Sequence, residues 1–154
     1  MKKIETKFFG VQEVDETNFV TFNHGLPGFE NTRQYLISRY SEDSPFYVMQ
    51  SVEKVDLAFI LIGFEQVVPD YSFDLSEEAV TDLKLTQPEE TVVYLIVTIP
   101  GELENATVNL AAPVVINSKE LLGKQIIFNH PAYSLKHPLF GAKKNLTTEG
   151  AASR

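Results

Sequence analysis

Residues 105–117 read Asn-Ala-Thr-Val-Asn-Leu-Ala-Ala-Pro-Val-Val-Ile-Asn. Two short apolar runs flank Pro113, and a proline has no amide to give to a central ladder, so the stretch divides into two strands rather than one. None of its side chains is suited to catalysis; it is built for pairing and packing. Upstream, residues 91–99 form the longest β-branched run, and Pro100-Gly101 turns it back toward residues 105–110 as a hairpin. Downstream, residues 118–123 read as a turn or short helical excursion, and residues 125–129 return as the last strand.

The same alternation of apolar runs and turn residues continues toward the N-terminus. Residues 8–14 and 19–22 flank the polar tetrapeptide Asp15-Glu16-Thr17-Asn18 and predict a hairpin with a four-residue loop. Residues 32–39 and 46–52 predict two more strands across the polar turn 40–45. Residues 57–62, Leu-Ala-Phe-Ile-Leu-Ile, are apolar throughout, as expected of a strand covered on both faces. Asp74-Leu75-Ser76-Glu77 has the form of a helix start, with Asp74 as cap and Glu77 as its reciprocal partner, and the helix is expected to run to about Leu83. Eight or nine short strands with one short helix predict an all-β, mainly antiparallel fold, a small β-barrel-like domain or flattened sandwich over residues 1–140. Residues 141–154 are small and polar and read as a mobile tail, in part vector-derived.

A chain of 154 residues with 44% hydrophobic side chains and 11 + 6 = 17 Phe and Tyr rings has enough apolar material for one well-packed domain. The absence of cysteine excludes disulfides, thiolate metal sites and thiol nucleophiles, and suits the cytoplasm. Met1-Lys2-Lys3 is followed by no apolar run of leader length, and the longest apolar stretches have strand length, so a soluble cytoplasmic protein is expected. The formal charge is 13 − 21 = −8. Nucleic acid and anionic membranes are therefore unfavourable partners, and a basic protein is a better one.

Chemistry-bearing patterns are sparse. His24, His130 and His137 each adjoin a Gly or Pro, without the helical spacing of a metal pair. Serine lacks a Gly-x-Ser-x-Gly elbow, and the paired acids Glu42-Asp43, Glu77-Glu78 and Glu89-Glu90 read as solvated turn and helix-start residues. Phosphate-cradling glycine loops are missing too. No catalytic residue, metal or cofactor is expected. Gly25-Leu-Pro-Gly-Phe-Glu30 reads as an architectural loop whose glycines adopt positive φ and whose Leu26 and Phe29 tie it to the body, with Phe29 a candidate buried ring. Protein recognition remains. Two acidic-apolar segments that could meet at one end of the barrel supply a candidate partner-binding patch: Asp70, Tyr71, Asp74, Ile99, Glu102, Leu103 and Glu104. The same pattern is equally compatible with Tyr71 and Phe73 pointing into the core.

Four pieces in this order and spacing, Gly-Leu-Pro-Gly-Phe-Glu at 25–30, Pro-Phe-Tyr-Val-Met-Gln-Ser at 45–51, the stretch at 105–117, and Gly-Lys-Gln-Ile-Ile at 123–127, resemble the bacterial flagellar assembly factor FliW family. The likeness runs from about residue 9 to about residue 138. It implies a compact β-barrel-like domain and a non-enzymatic regulator that binds the RNA-binding regulator CsrA and the flagellin subunit. In that scheme the two partners compete, and export of flagellin frees the factor to capture CsrA and lift its block on flagellin translation. Direct contact with nucleic acid, membrane or a small-molecule substrate is not implied. The residues alone leave two other readings: a small barrel hydrolase or isomerase using Asp or Glu with a loop histidine, and a generic carbohydrate- or peptide-binding β-sandwich.

Overall fold

A computed structural model describes residues 1–140. The expected tail over 141–154 lies outside the described residues. In chain order the elements are β1 (Lys2–Thr6), β2 (Gly10–Val14), β3 (Val20–Thr21), β4 (Gln34–Arg39), β5 (Phe46–Ser51), β6 (Ala58–Gly63), α1 (Glu77–Asp82), β7 (Thr91–Thr98), β8 (Thr107–Val108), β9 (Val114–Asn117), β10 (Leu122–Gln125) and β11 (His137–Pro138).

Strands β3 to β7 pair in sequence order, β7 pairs with β9 from Thr91↔Asn117 to Tyr94↔Val114, β9 pairs with β10, and β10 returns to β3 through Leu122↔Thr21. The ring closes, so the fold is a barrel rather than a flattened sandwich. Only the β10–β3 contact is parallel; the other rungs are antiparallel. Closure leaves none of the seven ring strands with a free edge; the β1–β2 ribbon and β11 lie outside the ring.

Side chains alternate across each strand, and the barrel uses both directions. Inward, Val20, Phe22, Tyr35, Met49, Leu61, Val114 and Ile116 fill the interior. Outward, Ile62, Leu95 and Val97 join Val108, Leu110 and Tyr71 in a second core outside the barrel wall. The expected two-sided burial of the apolar run at 57–62 is seen in adjacent residues: Leu61 belongs to the inner core and Ile62 to the outer one. The outer core is covered by the segment that follows β6, by the β7–β8 hairpin and by β11.

Three local expectations are corrected. The first hairpin is β1–β2, from Lys2↔Val14 to Thr6↔Gly10, not a pairing of residues 8–14 with 19–22. Asp15 caps a 3-10 turn at Glu16–Asn18 by accepting from the Thr17 amide and hydroxyl, so the polar tetrapeptide turns the chain into β3 instead of folding β2 back. The helix is capped by Ser76, whose Oγ accepts from the Ala79 amide at 3.1 Å, not by Asp74. That frame places Ala79 and Leu83, four residues apart, on the buried face. The last barrel strand is Leu122–Gln125, three residues ahead of its expected position; its Gly123 is required because a Cβ would lie 2.5 Å from the Phe22 ring.

In the 25–30 loop the architectural reading holds at Gly25, where φ is +68° and a Cβ would lie 2.6 Å from the Glu30 Cα. Leu26 is buried, but Phe29 is 40% exposed, its ring meeting Phe59 edge-on at 5.8 Å, so it is not the buried ring expected.

Candidate partner-binding surface

Of the seven expected patch residues, Tyr71 lies in the outer core, Asp74 lines one groove, Ile99 and Leu103 line another, and Asp70, Glu102 and Glu104 are exposed nearby in the chain. Tyr71 is only 6% exposed; its ring packs against Phe64, Phe73 and Tyr133, and its hydroxyl donates to the Leu110 carbonyl at 2.6 Å. Burial pushes its pKa up, Tyr133 adding to the shift, so the phenol stays protonated as a donor. Tyr71 is a core residue and supplies no surface anchor. Asp70 and Asp74 are exposed beside it.

Ile99 and Leu103 are 42% and 48% exposed, and both line a groove of about 680 Å³ at the β7–β8 turn. Glu102 and Glu104 are exposed on the same turn. The opposite wall comes from residues the sequence reading passed over: Phe8, at the tip of the β1–β2 hairpin, and Tyr40, at the end of β4, are 41% and 46% exposed with rings 6.2 Å apart. Gln50 fixes that wall. Its buried Oε1 accepts from the Lys7 amide at 2.9 Å while its Nε2 is shared among carbonyls of the β5–β6 turn, which moors the hairpin to the barrel. Lys7 sits over the Phe8 ring at 5.6 Å, so the rim here mixes one cation with the acids of the turn.

The second groove, about 590 Å³, is lined by Phe73, Asp74, Leu75, Val80, Leu85 and Pro88 among others. It shares no lining residue with the first. Thr91 and Val93 line it from the first half of β7, whereas Ile96, Val97 and Thr98, with Ile99 just past the end, line the other from the second half. The two acidic-apolar segments thus border different grooves: Asp74 lines this one, and Ile99 and Leu103 line the other. The wall of this groove is held by α1. Asn117, fully buried, donates through Nδ2 to the Leu83 carbonyl at 2.7 Å and the Lys84 carbonyl at 3.3 Å, and Lys124 Nζ bonds Asp82 Oδ2 at 2.8 Å. The opposite wall is pinned where the Tyr133 hydroxyl donates to the Ser72 carbonyl.

Each histidine has its own surroundings. His24 Nε2 lies 3.6 Å from Asp82 in an exposed loop. His130 accepts the Ala132 amide on Nδ1 and stacks on Tyr133. His137 pairs opposite Val108, and burial lowers its pKa below 6.5, favouring neutral imidazole. Asp74, His130 and Tyr133 do line one small cleft, but His130 makes its hydrogen bond to backbone rather than to Asp74. Among the described residues no group of three or more His, Asp or Glu is placed to hold a metal ion, and no helix is long and apolar enough to cross a membrane.

Comparison with known proteins agrees with the barrel fold. The family model described as FliW protein matches residues 3–139, a span close to the one over which the four sequence pieces resemble it. A flagellar assembly factor FliW of Clostridium kluyveri is 38% identical over 138 residues, covering 90% of this chain and 95% of the relative. One from Caldicellulosiruptor saccharolyticus is 40% identical over 137 residues, covering 89% and 90%. One from Bacillus licheniformis is 40% identical over 138 residues, covering 90% and 96%. A crystal structure of the flagellar assembly factor FliW superposes with a TM-score of 0.84 at 36% identity, covering 90% of this chain and 96% of that one. A match across nearly the whole barrel, in sequence and in backbone, places this chain in the FliW family of flagellar assembly factors.

Proposed function

We propose that this chain is a cytoplasmic, non-enzymatic regulator of flagellum assembly that binds CsrA and flagellin in exchange, relieving CsrA repression of flagellin translation when flagellin is exported. The observation that carries the reading, given the family, is the groove at the β7–β8 turn, where Phe8, Tyr40, Ile99 and Leu103 stand exposed together. Apolar side chains clustered at a rim with charges are the anatomy of a protein-docking surface. A catalytic reading would need an acid and a histidine converging on a reacting atom. The negative charge supports an indirect effect on RNA, since an acidic protein seated on an RNA-binding regulator disfavours phosphate nearby.

Size-exclusion chromatography and calorimetry with purified CsrA and flagellin test this. Complexes with each are expected, with flagellin displacing CsrA and with bound CsrA losing affinity for its RNA. Leu103→Ala is expected to speed dissociation of whichever partner uses that groove, whereas charge reversal at Glu102 acts mainly on association. If neither CsrA nor flagellin binds, the reading fails.

A further inference from the structure

Charge is distributed very unevenly along this chain. Residues 65–90 hold eight acidic side chains and one lysine, a net charge of 1 − 8 = −7 out of the total of −8. This segment builds most of the groove beside α1: Asp74 lines it directly, Glu77 and Glu78 lie on the helix that presents Val80, and Glu89 and Glu90 follow Pro88 on the far rim. Among the described residues, Asp82 is the one of these acids engaged in an ion pair within 4 Å. Glu90 is held ionised by hydrogen bonds from the Thr86 amide and hydroxyl and the Gln87 amide, which lower its pKa.

Between those acids the groove is apolar. Val80 is 36% exposed on the helix surface, and Phe73, Leu75 and Leu85 are half-buried. The Thr86 amide and hydroxyl and the Gln87 amide are already taken by Glu90, so they are not aimed at the cavity as donors are where a small polar ligand is oriented. Anionic lipid or nucleic acid would be repelled by the rim. The groove at the β7–β8 turn carries Lys7 among its lining residues, whereas this one is lined by no base.

We propose that the groove between α1 and residues 71–75 is a docking site for a protein segment whose apolar side chains are flanked by lysine or arginine. Two or three apolar side chains enter against Val80, Phe73 and Leu85, and the flanking cations face the acids of residues 70–78 and Glu89. The assignment rests on the reading of the chain as a protein-binding regulator, and it adds a second docking surface of distinct chemistry that shares no lining residue with the groove at Leu103.

Fluorescence anisotropy with a dye-labelled leucine–lysine peptide, and with its leucine–glutamate counterpart, provides the test. The basic peptide is expected to bind and the acidic one not. Val80→Lys combined with Glu89→Lys is expected to weaken binding by about tenfold or more, and Leu103→Lys to leave it unchanged. Raising salt from 0.1 M to 1 M, which shrinks the Debye length from about 10 Å to about 3 Å, is expected to weaken it as well. If Val80→Lys lowers the melting temperature, Asp74→Lys with Glu89→Lys, both at exposed side chains, carries the comparison. Absence of binding, equal binding of the acidic peptide, or binding lost in Leu103→Lys but kept in the groove variants would each overturn the assignment. Capture of CsrA and flagellin by the wild type separates the two failures: if both are captured while peptide binding ignores the groove variants, the groove is wrong and the regulatory reading stands.

Discussion

Replacing Asn117 by alanine is expected to destabilise the protein far more than an exposed asparagine would. The side chain is completely buried and fully used: Nδ2 donates to the Leu83 carbonyl at 2.7 Å and the Lys84 carbonyl at 3.3 Å, and Oδ1 accepts the Lys119 and Glu120 amides at 2.9 and 3.0 Å. Truncation strands the buried Leu83 carbonyl, at about 1–3 kcal/mol, and weakens two bonds at a turn that water can reach, at about 0.5 kcal/mol each. The sum is about 2–4 kcal/mol, or roughly 5–15 °C in melting temperature for a domain of this size. α1 has only six residues, too few to persist without tertiary support, and Leu83, its C-cap residue, is what Asn117 holds. Backbone amide exchange in α1 should therefore accelerate along with the loss of stability. Ser118→Ala, which removes a single exposed bond to the Glu90 carbonyl, is the control and should cost less than about 1 kcal/mol. A loss below about 1 kcal/mol in urea unfolding of Asn117→Ala would refute the idea that this residue locks the helix to the barrel.

Two buried tyrosines should respond oppositely to losing their hydroxyls. Tyr35 Oη has no hydrogen-bond partner among the described residues, and burial, with Glu53 adding, pushes its pKa up to about 12, so Tyr35→Phe should leave stability unchanged or raise it by up to about 1 kcal/mol in urea unfolding. Tyr71→Phe leaves the Leu110 carbonyl without that donor and should cost about 1–3 kcal/mol by the same measurement. Gly28→Ala meets open space and should show only the roughly 1–2 kcal/mol of left-handed backbone strain, whereas Gly25→Ala adds a clash with the Glu30 backbone and should cost clearly more, read from paired melting curves. Hydrogen bonding from Lys124 holds the Asp82 carboxyl below its ordinary pKa of 3.8; a group whose pKa falls on folding stabilises above the unfolded value and loses that contribution as pH drops through the folded one. Lys124→Met should accordingly be less stable than wild type at neutral pH, with the difference narrowing well below pH 3.8.

Legibility of the fold followed the range of the interactions. The strand at 58–63 and the one at 91–98 were readable because apolar runs bounded by turn residues report burial directly. Asp74 and Ser76 both fit a helix-start pattern, and only the frame begun by Ser76 turns Ala79 and Leu83 inward, a choice made by the barrel surface rather than by the helix. β3 was assigned to the wrong partner because its partners are distant: Val20 pairs with Tyr35 and Thr21 with both Gln34 and Leu122, the last about a hundred residues away. Tyr71 and Leu103 look alike in sequence, each an apolar side chain among acids. What separates them is a carbonyl 39 residues from Tyr71 that receives its hydroxyl, a pairing that only the closed outer core creates. Phe8 and Tyr40 escaped notice because their groove is assembled from a hairpin tip, a strand end and a turn far apart in sequence.

The outer core explains why recognition and stability lie so close together here. A barrel of this kind needs only its interior filled, yet Ile62, Leu95 and Val97 point outward and must be covered. The segment after β6 does so with Phe64, Tyr71 and Phe73, and its intervening positions, facing solvent, carry Glu65, Asp70 and Asp74. One stretch of chain thus closes the core with alternate residues and sets the surface charge with the others. Substitutions at Tyr71 therefore report on folding, while those at Asp74, Val80 or Glu89 report on the surface. On the proposed reading, seating this surface on an RNA-binding regulator brings most of the chain's negative charge near the interface. At physiological salt that charge acts over about 8 Å, so an RNA phosphate need not share a contact with the protein to be disfavoured by it.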